Sequence, residues 1–200
     1  MVHQRMVAIA ATLLLAVSVS ISLGQPKTAA KIGEKAPAFS LQDQNGRTVS
    51  LWDYAGKIVV LEWFNEDCPI VQGHYKDDAM NKLARKYAEK GVVWLAINST
   101  SGKTNQTNQK ADSAWKMSRP ILNDSAGTVG HAYGATNTPG MFIVNKDGVL
   151  AYMGGIDDNE SGDKKQVKNY VAQALDELLA GKAVSQPQTK QYGCTVKYAN

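Results

Sequence analysis

The sequence predicts an α/β protein: a central mixed sheet, flanked by helices on both faces and entered through an N-terminal β-hairpin. Three observations predict it. Residues 58–64 and 92–98 are near-continuous apolar runs, as expected of strands covered on both faces. Between them, residues 69–90 carry an apolar stripe at helical spacing, Met80, Leu83, Ala84 and Tyr87. A second hairpin and a last amphipathic stretch close the chain.

Taken in order, residues 39–43 and 48–51 read as short strands joined through Asn45-Gly46, a strong hairpin signal. The strand at 58–64 runs into Cys68 and Pro69. Pro69 suits the first turn of the helix over 69–90, and Gly91 ends it. Strand 92–98 follows. Residues 99–109, rich in Ser, Thr and Asn, read as a loop, and 110–117 as a helix. A short strand is expected at 119–122. Asp124-Ser125 caps a helix reaching Tyr133, with Gly134 closing it. Residues 141–144 and 149–153 form a hairpin across Asn145-Lys146-Asp147-Gly148. The helix 167–179 stops at Gly181, and 182–200 is a polar tail.

The two ends lie outside this unit. Residues 1–24 read as a secretory signal: Arg5 supplies a basic start, 6–19 an apolar run, and Ser22-Leu23-Gly24 small residues before a cut. The other reading is an uncleaved membrane anchor, although the run is short for a span. The division is a signal over 1–24, a linker over 25–35, one domain over 36–181 and a tail over 182–200. The expected location is periplasmic or secreted. Arg5 is the only charge in the signal, so cleavage takes the net charge from +4 to +3, too weak a bias for nucleic acid. Two cysteines are too few for a disulfide scaffold. The absence of any Cys-x-x-Cys pair or His/Cys cluster argues against zinc, and no nucleotide motif calls for a cofactor.

Chemistry centres on Cys68. A thiol at a helix start meets unpaired N–H groups and the positive end of the macrodipole, which favour the thiolate, the nucleophilic form. Glu62, Glu66 and Asp67 oppose this with negative charge, so a modest net lowering of the thiol pKa is expected. Cys194, the only other cysteine, sits 13 residues beyond Gly181. An extended tail of that length reaches about 43 Å, well over the radius of such a domain, about 16 Å. A Cys68–Cys194 bond is therefore within reach, as a resolving disulfide, a structural staple or a bridge between chains. His74 and His131 read as surface or capped histidines. The alternative is a pair of copper ligands beside Cys68.

These residues carry a family resemblance. Val59-Val60-Leu61-Glu62-Trp63-Phe64 precedes Cys68-Pro69. Ile121-Leu122-Asn123-Asp124 with Gly127, Tyr133-Gly134, Thr138-Pro139 with Phe142-Ile143-Val144, and Tyr152-x-Gly154 follow in order. From Gly33 to about Leu179 the chain resembles a thioredoxin-like redoxin of the AhpC/TSA type (alkyl hydroperoxide reductase/thiol-specific antioxidant). The tail Tyr192-Gly193-Cys194-Thr195-Val196-Lys197-Tyr198 resembles a subgroup with one cysteine at each end.

The resemblance implies a thioredoxin-like fold with Cys68 as nucleophile. It implies a cis Thr138-Pro139 loop facing Cys68, where backbone groups pair with an extended substrate. Glu62 takes the place of a buried acid and a shuttle for the thiol proton, the alternative being a solvent-facing or salt-bridged carboxyl. Two departures stand out. Val71 replaces the usual second cysteine, which excludes a Cys-x-x-Cys cycle. Asn65 replaces the Thr or Ser that holds a peroxide, and the peroxidase arginine expected near Thr138-Pro139 is absent.

The main expectation is an exported thiol–disulfide oxidoreductase with Cys68, Cys194 and Glu62 as catalytic residues, and with Pro69, Thr138 and Pro139 at the substrate site. Its expected partners are protein or small-molecule disulfides and an electron donor the sequence does not name. The alternatives are an atypical two-cysteine peroxidase, and a non-enzymatic copper-binding or disulfide-stapled module.

Overall fold

The computed structural model describes residues 29–199. The expected signal segment and residues 25–28 of the linker lie outside the described residues. The elements are β1 (Ser40–Gln42), β2 (Thr48–Ser50), β3 (Val59–Trp63), α1 (Pro69–Lys76), α2 (Ala79–Ala88), β4 (Val93–Asn98), α3 (Asn105–Trp115), β5 (Ile121–Asn123), α4 (Thr128–Tyr133), β6 (Asn137–Thr138), β7 (Gly140–Val144), β8 (Leu150–Gly154), α5 (Tyr170–Leu179) and β9 (Cys194–Thr195).

Seven strands form one mixed sheet in the order β2-β1-β5-β4-β3-β7-β8. β3 lies near its centre, parallel to β4 and antiparallel to β7. Alternation along β3 divides the core. Val60 faces a cluster with Val71 and Tyr75 of α1, Met80 and Tyr87 of α2, and Val171 and Leu175 of α5. Val59, Leu61 and Trp63 face the other side, with Val129 and Tyr133 of α4 and with Phe39 and Val49 from the hairpin. The sheet is thus covered on both faces, which is why β3 reads as an unbroken apolar run.

Three expectations change. The helix over 69–90 is two helices, because Asp78 adopts a left-handed conformation (φ 57°) between them. Asp tolerates that region better than most residues, and its carboxylate is held by Arg85 at 2.6 Å. The supposed loop at 99–109 instead contains the start of α3. Thr104 accepts from the Thr107 N–H while the Thr107 hydroxyl accepts from the Thr104 N–H, so a Thr–Thr box starts the helix at Asn105.

The third change concerns both ends of the domain. The Ala30 N–H donates to the Ala132 carbonyl at 2.8 Å and the Gly33 N–H to that of Leu150 at 2.9 Å, so the end of the linker is tied to α4 and β8. The tail is not a loose appendage. It runs beside β8, where the Met153 N–H donates to Pro187 and the Thr189 N–H to Met153. It then crosses Gly154 and Gly155, where a Cβ would strike Thr189 or Tyr192. Tyr192 and Val196 are buried. Burial of these side chains and the backbone hydrogen bonds to β8 both favour the docked tail.

Candidate active site

β3 ends at Trp63, and residues 64–68 turn the chain into α1. Asn65 makes the turn. Its carbonyl accepts from the Cys68 N–H at 3.1 Å, and its side-chain oxygen accepts from the Asp67 N–H at 3.0 Å. Cys68 is the N-cap of α1, in extended conformation, with Pro69 at the first helical position. The Cys68 carbonyl accepts the first helical bond, from Gln72, at 2.9 Å. The thiol therefore stands at the open, electropositive end of the helix, and the residue is 1 % exposed.

Thr138 and Pro139 face it across a cis peptide bond. The Cys68 thiol donates to the Thr138 carbonyl at 3.2 Å. The same strand, β6, is paired antiparallel with β9, matching Thr138 to Cys194 and Asn137 to Thr195. Cys194 is thereby packed against the cluster that contains Cys68. Both thiols are free. Gly193 makes the crossing feasible. It lies at φ 99°, and a Cβ there would collide with the Thr138 carbonyl oxygen.

The two thiols are pushed apart in acidity. Burial raises the pKa of Cys68, but the Cys194 thiol, the Val71 N–H at the helix start and the Thr138 side chain outweigh it and hold Cys68 below the ordinary value. Burial and the neighbouring Cys68 raise Cys194, against the backbone of Ile70 and the charge of Lys197. Of the pair, Cys68 is the more acidic thiol and Cys194 the less acidic.

The acids expected to oppose the thiolate each have a cation. Lys103 bridges Glu66 and Asp67, both at 2.6 Å. Glu62 is fully buried on the α1 side of β3, where its Oε2 meets Arg119 at 3.3 Å and the Trp94 indole N–H at 2.8 Å. Its Oε1 accepts from the Tyr75 hydroxyl at 2.7 Å, and that hydroxyl also accepts from Arg119 at 2.5 Å. Burial and the Glu62 charge push Tyr75 well above its usual pKa, so it stays a neutral phenol. Of the readings considered for Glu62, the solvent-facing one is excluded by its full burial and the salt-bridged carboxyl is the geometry observed.

The structure thus brings together Cys68, Cys194, Pro69, Thr138 and Pro139, and sets Glu62 beneath them in an ion pair. The sequence reading missed Arg119, Tyr75 and Trp94 around Glu62. It also missed Lys103, Gly193 and Tyr192, whose hydroxyl donates to Asp157 at 2.6 Å and sits 3.4 Å from His74 Nε2. Only Gly193, between Tyr and Cys, carried a local signal. The ring of His131 stacks on Tyr198 at 4.0 Å, while His74 is on α1. Among the described residues no three His, Cys, Asp or Glu side chains converge as metal ligands.

The family model of the AhpC/TSA family matches residues 32–153. The chain belongs to that family. The match includes Cys68, Thr138 and Pro139, and it ends before α5 and the Cys194 tail. The chain is similar to the thiol-disulfide oxidoreductase ResA of Geobacillus thermodenitrificans, 34% identical over 122 residues, covering 61% of this chain and 68% of ResA. A hypothetical protein from Sinorhizobium meliloti 1021 aligns with a TM-score of 0.78 and 28% identity, over 88% of this chain and 99% of its own. The thioredoxin domain of a thiol-disulfide oxidoreductase from Bacteroides vulgatus aligns at TM-score 0.53 and 20% identity, over 62% of this chain and 89% of that one. The fold of the family member described here is thioredoxin-like.

Proposed function

We propose that this AhpC/TSA protein is an exported thiol–disulfide oxidoreductase with an in-chain resolving cysteine. The observation that carries the reading is the β6–β9 pairing, which sets Cys194 opposite Thr138 while Cys68 touches the Thr138 carbonyl. The Cys68 thiolate attacks one sulfur of a substrate disulfide, forming a mixed disulfide and releasing the first substrate thiolate. The Cys194 thiol gives its proton to solvent, attacks the Cys68 sulfur and releases the second. The substrate gains two electrons, and the chain is left with a Cys68–Cys194 bond. Thr138, Pro139 and Pro69 form the wall of the site, Arg119 neutralises Glu62 beneath it, and Lys103 neutralises the entry loop. Export is read from residues 1–24.

The resemblance to ResA supports disulfide chemistry. The peroxidase alternative gains nothing from the site, since Asn65 spends its side-chain oxygen on the Asp67 N–H. The test mixes reduced protein with hydroxyethyl disulfide, and separately with hydrogen peroxide, in stopped flow. Disulfide is expected to oxidise Cys68 faster than peroxide, and Cys194→Ser to accumulate the mixed disulfide on Cys68. Peroxide rates above disulfide rates would overturn the reading, as would unchanged resolution in Cys194→Ser.

A further inference from the structure

A cleft of about 480 Å³ opens beside the start of α1. Ligand sites typically enclose about 300–1,000 Å³. One wall is α1, from Pro69 and Ile70 to His74. The other is the loop after β8, with Asp157, Glu160 and Val167. Pro69 directly follows Cys68, so the cleft begins at the thiol's own helix turn. His74 lies six positions beyond Cys68, a rise of about 9 Å along the helix.

The charge of this cleft is one-sided. Asp77, Asp157 and Glu160 line it, and among the described residues no Lys or Arg does. Of the loop's lysines, Lys164 bonds to Asp158 and Lys168 to Gln186. Glu160 meets Lys190 at 3.0 Å in an exposed pair that solvent weakens. Asp157 is the decisive residue. It is only 8 % exposed, and both hydrogen bonds it accepts fall on Oδ1, from the Tyr192 hydroxyl at 2.6 Å and the Asn159 N–H at 2.9 Å. Its Oδ2 has no partner among the described residues. Buried charges are ordinarily paired, yet His74 meets the Tyr192 hydroxyl, at 3.4 Å, rather than the carboxylate.

We propose that the cleft takes a Lys or Arg side chain of the substrate polypeptide, with Asp157 as its counter-charge. The preferred substrate is then a disulfide whose cysteine has a cationic residue about three positions away, since an extended chain advances about 3.3 Å per residue. This deepens the disulfide reading given above and rests on it. The walls suit such a side chain. Its apolar stem packs on Pro69, Ile70 and Val167 while its head reaches the carboxylates. Val167 is 44 % exposed, one of two large apolar side chains so open among the described residues. The strand edge of Thr138 is filled by β9, so a substrate main chain has to be held elsewhere, and the cleft is the concave surface next to Cys68.

The experiment uses the full reduced chain and two symmetrical peptide disulfides. They are alike except for Arg or Gln three residues before and after the cysteine. Acid quenching and mass spectrometry give the rate of Cys68 oxidation, divided for each protein by its rate with hydroxyethyl disulfide. The parent is expected to prefer the Arg peptide at least fivefold, and Asp157→Asn to lower that preference at least threefold. Arg also affects its own peptide's thiol, so the comparison between proteins carries the result. Equal rates for the two peptides, or a preference that Asp157→Asn leaves intact, overturn the inference and leave the disulfide chemistry standing. Asp77→Asn, exposed and clear of Tyr192, is the second variant should circular dichroism show Asp157→Asn unfolded. Its preference is expected to fall at least twofold, and an unchanged one overturns the inference equally. If no disulfide oxidises Cys68, hydroxyethyl disulfide included, the oxidoreductase reading fails and this inference fails with it.

Discussion

Thr138 and Cys194 stand opposite one another across the antiparallel β6–β9 pair. The strand edge beside the cis-proline loop, where the family resemblance places an extended substrate, is therefore occupied by the chain's own tail. A single backbone register brings a second cysteine to the Cys68 site without a Cys-x-x-Cys motif.

The thiol titration should depend on the tail. Burial raises Cys68, but the neighbouring Cys194 thiol helps to hold it below its ordinary value. Alkylation rate against pH is expected to show a Cys68 midpoint below that of a free cysteine, shifted upward in Cys194→Ala. A native state that loses the Cys68 proton first binds fewer protons than the unfolded chain. The Cys68 contribution to stability therefore rises with pH toward the ordinary thiol range, and is lost as pH falls through the folded value. An unmoved midpoint in Cys194→Ala would remove that contact.

Gly193→Val should undock the tail strand. The substitution places a branched side chain at φ 99° and against the Thr138 carbonyl. Strain of this kind costs about 1–3 kcal/mol, and the tail can relieve it by leaving β6. Formation of the Cys68–Cys194 bond under mild oxidation is expected to slow at least tenfold, with the fold retained. Mass spectrometry of quenched samples gives the rate, and circular dichroism checks the fold.

Breaking the buried pair should be costly. Arg119→Ala leaves Glu62 buried without its cation, a change that typically costs about 3–5 kcal/mol. Glu62→Leu combined with Arg119→Met should recover much of that loss, because an apolar pair needs no desolvation of charge. Urea unfolding of the two variants against the parent chain checks both halves of the expectation.

Tyr192→Phe should loosen the tail while sparing the sheet. It removes the 2.6 Å hydrogen bond to Asp157 and leaves a buried carboxylate short of a donor, a loss of about 1–3 kcal/mol. Amide exchange should rise at Val196, whose N–H donates to the Thr136 carbonyl at 2.9 Å, and stay slow in β3. Equal protection of Val196 in both proteins would show that the tail is held by other contacts.

Much of the fold was legible because it is written in local patterns. The apolar runs of β3 and β4, the Asn-Gly hairpin and the Cys68-Pro69 helix start each need only neighbours in sequence to be read. The break at Asp78 and the early start of α3 were harder, since a left-handed Asp and a Thr–Thr box compete with a plain helical or polar reading. The site residues divide in the same way. Cys68, Pro69, Thr138 and Pro139 stood out by position, whereas Arg119 and Lys103 had no mark beyond their charge.

The sequence by itself determined that one thiol begins a helix after a buried strand, and that a second lies on a tail long enough to reach it. Only the tertiary structure decided that the tail docks. Its anchors, Tyr192 on Asp157 and Val196 in the core behind β6, are partners 35 and about 60 residues away in the chain. Such contacts have no periodicity for a sequence to display. They arise from burial and backbone pairing summed along the whole tail, from the Pro187 and Thr189 bonds to Met153 through to β9 on β6, acting against the entropy of a free tail.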